Sequence, residues 1–561
     1  MTRFLKGPFD VAAVLVLLSV PVAAPVTAQE STVQDTGSEG IATVSRSVPS
    51  QIGGVEERAG RPDTPIPVSA RSALLSGLET ASATYILPSP PADVATAGEA
   101  EADEDQEATG RVDAWGVAPN FPLAMGELVL ATTVTWAFNE YVKKGGISQV
   151  NPDTWWHNIR QGFGWDDNEF LVNMLAHPYQ GNISFNIARS NGFNYWESIA
   201  SAALGSFQWE CCGETHLMSG NDLVMTTVGG TFLGETFYRL TSAILDNEAT
   251  GTERAWREAG TLVLNPARGV TRMLTGRAFE QGTNPTDPLD HLGTRIFNVL
   301  SFGYRMVGEG ERLDFSSDEA HFFVEMDLVF GRPFDMERNK PFDYFTFSAQ
   351  LNFQDKQTLG LLQGRGNLRS FELKRSDTSQ HLFTILHYYD YINNNAFEFG
   401  GQSVGFAFLS NWIRSERTRI VASADIHVML MGAVNTEYAE FAEIPGVRER
   451  PREYDFGSGL GSWFNFYLLR DEHRIVDLSY RINWLHTLNG TNVGGQDTDH
   501  RIQQMTLGLT WPLTDNWGVG ARGAIFLRKS YYEEVEFDDV IQRNPELRIL
   551  ATWRIGRRGV N

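Results

Sequence analysis

Cysteine is nearly missing: two residues in 561, Cys211 and Cys212, side by side. That excludes a disulfide framework and a cysteine-rich zinc module. Positive charge is also scarce, with 46 Lys and Arg against 69 Asp and Glu, a net charge of −23. Such a chain has no general field for a polyanion, so nucleic acid is excluded as a partner. Apolar residues make up 42%, too few for a helical membrane transporter, and no uncharged apolar run reaches about 18 residues. G-x-S-x-G, P-loop, H-E-x-x-H and dinucleotide fingerprints are absent. What is abundant is aromatic and flexible: Phe 35, Tyr 16, Trp 14 and Gly 53. High aromatic and glycine content with modest hydrophobicity suits a β-barrel, oily outside and polar within.

Residues 1–28 read as a secretory signal: Arg3 and Lys6, an apolar core Val11–Val20, and Val26-Thr27-Ala28 before a cut at Gln29. Residues 29–112 are rich in Ala, Ser, Thr, Pro and Gly and end on the acidic run Glu99–Glu107. They lack apolar periodicity and read as a disordered acidic linker.

From 113 to 290 the pattern is helical, with four to six helices expected. Phe121–Tyr141 is apolar but for Glu127 and Glu140. His177 precedes Pro178 and predicts a helix start. Asn194-x-x-Glu197 and Ser219-x-x-Asp222 have capping-box spacing, and Gly230-x-x-x-Gly234 offers a close-packing face. Seven tryptophans between 115 and 209 suit either interface anchoring or a large core.

Beyond about 290 the period becomes two. Met326, Leu328 and Phe330 alternate with Glu325 and Asp327; Ile426, Val428 and Leu430 with Asp425 and His427; Leu478, Tyr480 and Ile482 with Asp477 and Arg481; Ile525 and Leu527 follow Arg522 and precede Arg528. About twelve such segments, each near ten residues, predict an antiparallel transmembrane β-barrel over 291–556, followed by a tail at 557–561. The fold class is thus α+β, a helical domain and then a barrel. A soluble sandwich has the same period but polar residues outside.

His177, Glu210 and Asp222 form the sharpest constellation. One imidazole and two carboxylates suit a divalent metal, or an acid–base set on a lipid ester or phosphate. The structural alternative has His177 and Asp222 in caps and Glu210 paired with Arg189. Asp390, Asn393, Asn394 and Gln402 either line a polar ligand site or belong to a hairpin with Asn turn chemistry. Cys211 and Cys212 are expected to stay unbridged, since adjacent helical residues point apart.

The stretches His177-Pro178-Tyr179-Gln180-Gly181, Ala188-Arg189-Ser190-Asn191-Gly192, Trp209-Glu210, Ser219-Gly220-Asn221-Asp222-Leu223 and Gly234-Glu235 resemble the DUF3943 family of exported bacterial proteins. Tyr389–Asn394, Phe399–Ser403 and Tyr454–Gly459 extend the resemblance over roughly 115–556. The family implies no chemistry. The helical order also loosely resembles VanZ-like and YfiM-like membrane-associated proteins. The sequence therefore predicts an outer-membrane barrel whose helices dock at its periplasmic mouth or on the inner leaflet and handle a lipid or other envelope ligand. A membrane-surface enzyme using the His/Glu/Asp set and a passive pore are the alternatives. Expected partners are outer-membrane lipid and, during insertion, the barrel-assembly machinery. No cofactor is expected beyond an optional divalent metal.

Overall fold

The computed structural model describes residues 111–555, apart from 145, 287–295, 309, 311–319, 335–338, 354–357, 395–397, 437–452, 489–496 and 534–538. The signal, nearly all of the linker and the C-terminal tail lie outside the described residues.

Twelve strands follow the helices: β1 Ile296–Val307, β2 Ala320–Phe330, β3 Phe345–Asn352, β4 Leu359–Arg375, β5 Ser379–Asn393, β6 Glu398–Ile413, β7 Thr418–Asn435, β8 Tyr454–Arg470, β9 His473–Thr487, β10 Thr498–Pro512, β11 Trp517–Tyr532 and β12 Val540–Ile555. Each pairs antiparallel with its neighbour, and β12 closes on β1 from Ile555↔Asn298 to Glu546↔Val307. Closure leaves no sheet edge, which a wall in lipid requires.

Ion pairs between strands that are not neighbours identify the inner face. Asp390 on β5 pairs with Arg481 on β9, and Glu325 on β2 pairs with Arg522 on β11 and Arg548 on β12. Such pairs can form only across the lumen. The alternate positions therefore point outward, and on β7, β10, β11 and β12 they are apolar and open: Ile426, Leu509, Ile525 and Ile549 are 55–66% exposed. An oily outside around a charged inside is the outer-membrane arrangement and the reverse of a soluble sandwich. The lumen is filled by wall side chains, including the apolar groups Ile392, Phe399, Met429, Leu485 and Phe526.

The helices are α1 Phe121–Phe138, extended by a π-helical turn to Lys143; α2 Pro152–Gln161; α3 His177–Ser190, after a π turn at Val172–Ala176; α4 Tyr195–Cys212; α5 Gly220–Val224; α6 Gly230–Ile244; α7 Gly251–Leu264; and α8 Pro266–Leu274. Asn194 and Glu197 make the predicted capping box. The predicted glycine face is real. A Cβ on Gly230 would lie 2.5 Å from the Gly181 Cα, and one on Gly234 would lie 2.5 Å from the Phe185 ring.

The helices pack against outward-facing residues of the barrel wall. Phe232 of α6 stacks on Tyr389 at 5.7 Å, and Phe170 meets Tyr391 and Tyr454. Tyr389 and Tyr391 alternate with the lumen residue Asp390, so both face outward. Beneath the helices the outward residues Met326, Phe330, Phe345 and Phe347 are fully buried, whereas their counterparts elsewhere on the wall are open. At the other end of α6, Arg239 donates to the Pro341 carbonyl at 2.8 Å, in the connection between β2 and β3.

Candidate functional site

The site is assembled by three connections. Phe163-Gly164 pairs in parallel with Met218-Ser219, which sets the loop carrying Asp166 beside the start of α5. The Asp166 N–H donates to Asn221 Oδ1 at 2.9 Å, and Asn221 Nδ2 donates to Asp222 Oδ1 at 2.8 Å. The barrel wall supplies the third connection. Pro178 has no N–H to offer the turn behind it, and the Met174 carbonyl accepts from Tyr389 Oη at 2.7 Å instead. Tyr454 Oη donates to the Asn168 carbonyl at 2.7 Å and accepts from Asn173 Nδ2 at 2.6 Å. Two outward tyrosines thus hold the segment between Asp166 and His177.

The result brings Asp166, His177 and Asp222 together, with one donor atom from each lying within 4.8 Å of the others. His177 Nε2 is 3.5 Å from Asp222 Oδ1, and Nδ1 is 3.5 Å from Thr226 Oγ1. His177 and Asp222 are buried, while Asp166 is partly open. Burial pushes the Asp222 carboxyl up to about 6, against the opposing pull of His177.

Glu210 stands behind this group. Its Oε2 accepts the Ser219 N–H at 2.8 Å. Burial pushes Glu210 up to about 10 and Glu214 up to about 8, and charge repulsion within the cluster adds to both. Hydrogen bonding with Trp209 and Glu210 pulls Glu214 part of the way back down. Both acids prefer the protonated form in the fold and the ionised form, near 4.3, when unfolded. Their contribution to stability is whole below that value and is lost as pH rises through about 8 and about 10. The helical domain is expected to melt at a lower temperature at pH 9 than at pH 6, and Glu214→Gln to flatten that slope; circular dichroism of the detergent-solubilised protein checks both.

Several sequence expectations need correction. His177 begins α3 with Pro178 in its first turn, as expected, but it caps no free end, because the π turn from Val172 runs into it. Ser219 precedes α5 but its side chain makes no capping bond. Asp222 turns instead toward Asn221 and His177. Arg189 pairs with Glu235, at 2.8 Å, and not with Glu210. Cys211 and Cys212 are joined, at the last two positions of α4, where the helix gives way to Gly213. Asp390, Asn393, Asn394 and Gln402 do not form one site. Asp390 faces the lumen and binds Arg481 and Gln363. Gln402 is opposite Tyr389 on the outward face, where its Nε2 would lie 3.0 Å from a Cβ on Gly229. Asn393 alternates with Asp390 and shares the outward face, and Asn394 lies past the end of β5. Asp166 and Glu214 are the members that sequence reasoning missed. Neither has helical periodicity or motif spacing to mark it, and the Asp166 loop is brought in by the Phe163–Met218 bridge and by bonds to Asn221 and the barrel tyrosines.

None of the curated proteins matches the chain. Among solved structures it is similar to the KdgM porin, at 7% identity over 45% of this chain and 98% of that one, with a TM-score of 0.19. The Acinetobacter baumannii outer membrane channel DcaP gives 6% identity over 47% and 97%, with a TM-score of 0.20. The Pseudomonas putida toluene transporter TodX gives 6% over 46% and 89%, with a TM-score of 0.19. The barrel assignment rests on its own strand pairing and not on these scores. Residues 162–267 match the family model of DUF3943, a domain of unknown function, and the matched span contains Asp166, His177, Glu210 and Asp222.

Proposed function

We propose that this chain is an envelope protein of the outer membrane whose membrane-interfacial helical domain carries a divalent-cation centre at Asp166, His177 and Asp222. The observation that supports it is the convergence of one imidazole and two carboxylates, with donor atoms within 4.8 Å of one another. That mixed N/O set suits a zinc, manganese or iron(II) ion. Thr226 at His177 Nδ1 and Asn221 at Asp222 orient the two buried donors, as outer groups do around metals. Glu210 and Glu214 lie behind the cluster.

A second reading is enzymatic. A bound cation supplies Lewis-acid chemistry or a water of lowered pKa. Asp166, partly open, is on the side from which a lipid ester or phosphate would approach. Passive conduction has less support, because the cross-lumen pairs of Asp390 and Glu325 are buried. The organisation that goes with this reading is a signal at 1–28, a linker at 29–112, the helical domain at 113–290 and the barrel at 291–556.

Metal analysis of the full chain, extracted in mild detergent and soaked with zinc or manganese, tests it. About one ion per chain is expected in the parent, and none in His177→Ala or Asp222→Asn. The heat-modifiable barrel band should persist in all three. No ion in the parent would make the cluster a proton-sharing structural network.

A further inference from the structure

On most of the barrel, the outward apolar residues are open. Under α3 and α6 the same positions are covered by helices, so the helical domain stands where lipid stands elsewhere on the wall. Its contacts run from the Pro341 connection, which lies beside Asn367 in the middle of β4, to Tyr391 and Tyr454 near the ends of β5 and β8. The side of the domain turned away from the wall must then face whatever surrounds the barrel at that depth.

That side carries α1. The helix packs inward through Ala124 and Leu128 against Ile183 and Ile187 of α3, a cluster that contains no barrel residue. Its other face is apolar and open: Val129, Leu130, Val134, Phe138, Tyr141 and Val142 are all more than half exposed. Phe121–Lys143 spans 23 residues and is long and apolar enough to cross a membrane. At 1.5 Å per residue it is about 34 Å long, against a hydrocarbon core of about 30 Å.

Its threonines, its tryptophan and one oxygen of Glu127 find partners within the protein. Thr132, Thr133 and Thr135 donate to the carbonyls four residues back at 2.8–3.1 Å, and the Trp136 indole donates to the Ser148 carbonyl at 2.8 Å. Glu127 turns inward, where its Oε2 accepts from Asn191 at 2.7 Å and Thr271 at 2.8 Å. A helix exposed to water has no need of this, whereas one in lipid requires it.

We infer that the open face of α1 is a lipid-contact surface, continuous with the apolar belt of the barrel, so that the helical domain sits in the bilayer beside the barrel. The occupant is phospholipid or lipopolysaccharide acyl chain. This inference does not depend on the cation centre and holds or fails separately from it.

The test uses the full chain in lipid nanodiscs with single cysteines at Val134 or Leu130. Leu509→Cys on the barrel belt is the lipid control, and Glu416→Cys in the β6–β7 turn is the water control. The native cysteines are joined and do not compete for the label. The expected result is that Val134→Cys and Leu130→Cys react with a membrane-impermeant maleimide at least ~10-fold more slowly than Glu416→Cys, since thiolate is scarce in an apolar site. An attached fluorophore should also be quenched by doxyl-labelled lipid as strongly as one at Leu509→Cys. Rapid maleimide reaction would place α1 in water and overturn the inference. Slow reaction without lipid quenching would mean that a second copy or another protein covers the face, which also overturns it.

Discussion

Gly230→Leu is expected to dismantle the helical domain and leave the barrel closed. A Cβ at Gly230 would lie 2.5 Å from both Cα and C of Gly181 and 2.8 Å from the Asn182 nitrogen. All three are backbone atoms, so no rotamer change relieves the clash. The reverse position is equally tight, because a Cβ on Gly181 would lie 1.8 Å from the Thr226 carbonyl oxygen. Parting α3 from α6 would also pull Phe232 from Tyr389 and His177 from Asp222. A loss of about 4 kcal/mol or more is expected, the exceptional range for a single substitution. Limited proteolysis should cut the helical region of the variant readily, while its barrel band still shifts on boiling. Gly126→Leu is the control, since nothing lies within 4 Å of a Cβ there.

Asp390→Ala is expected to weaken the barrel itself. Arg481 Nη1 donates to Asp390 Oδ1 at 2.9 Å, Nη2 binds the other carboxylate oxygen, and both residues are buried. Removing the carboxylate leaves the guanidinium in the filled lumen beside the rings of Phe399 and Trp463, at 5.0 and 5.1 Å. Breaking one side of such a pair costs about 3–5 kcal/mol, most of it the burial of an unmatched charge. The double change Asp390→Ala with Arg481→Met removes that charge and should recover much of the loss. The temperature at which the folded band disappears from detergent gels reads all three.

The barrel was legible because its period is two and its inner face is charged. Asp425, Asp477, Arg481 and Arg522 each mark the lumen side of a strand, and apolar neighbours mark the other. The same alternation hid the helical contact. Met326 and Phe347, which the helices cover, and Leu509, which they leave open, look alike in sequence, because a helix and a lipid tail ask for the same residue types. The cluster was half legible. His177, Glu210 and Asp222 could be named from residue type and helix ends; the structure joins His177 and Asp222 to Asp166 and leaves Glu210 outside that donor group. The capping reading of Ser219 and Asp222 failed because Asn221 sits between them and draws the carboxylate toward His177. Asp166 could not be found from spacing, since its place depends on a two-residue parallel bridge to Met218-Ser219 and on Tyr389 and Tyr454, more than 200 residues away in sequence.

The helical domain packs on the outer wall of a closed barrel. A Cβ on Gly400 would lie 2.8 Å from the Met174 sulfur, across the contact between the π turn and β6. The most direct test is a short thiol cross-linker applied in native membranes to the full chain carrying Met174→Cys and Gly400→Cys. The predicted result is one cross-linked species, seen as a change in mobility after denaturation, in the double variant and in neither single variant. Absence of the cross-link, with both thiols labelled once the protein is unfolded, would contradict the account.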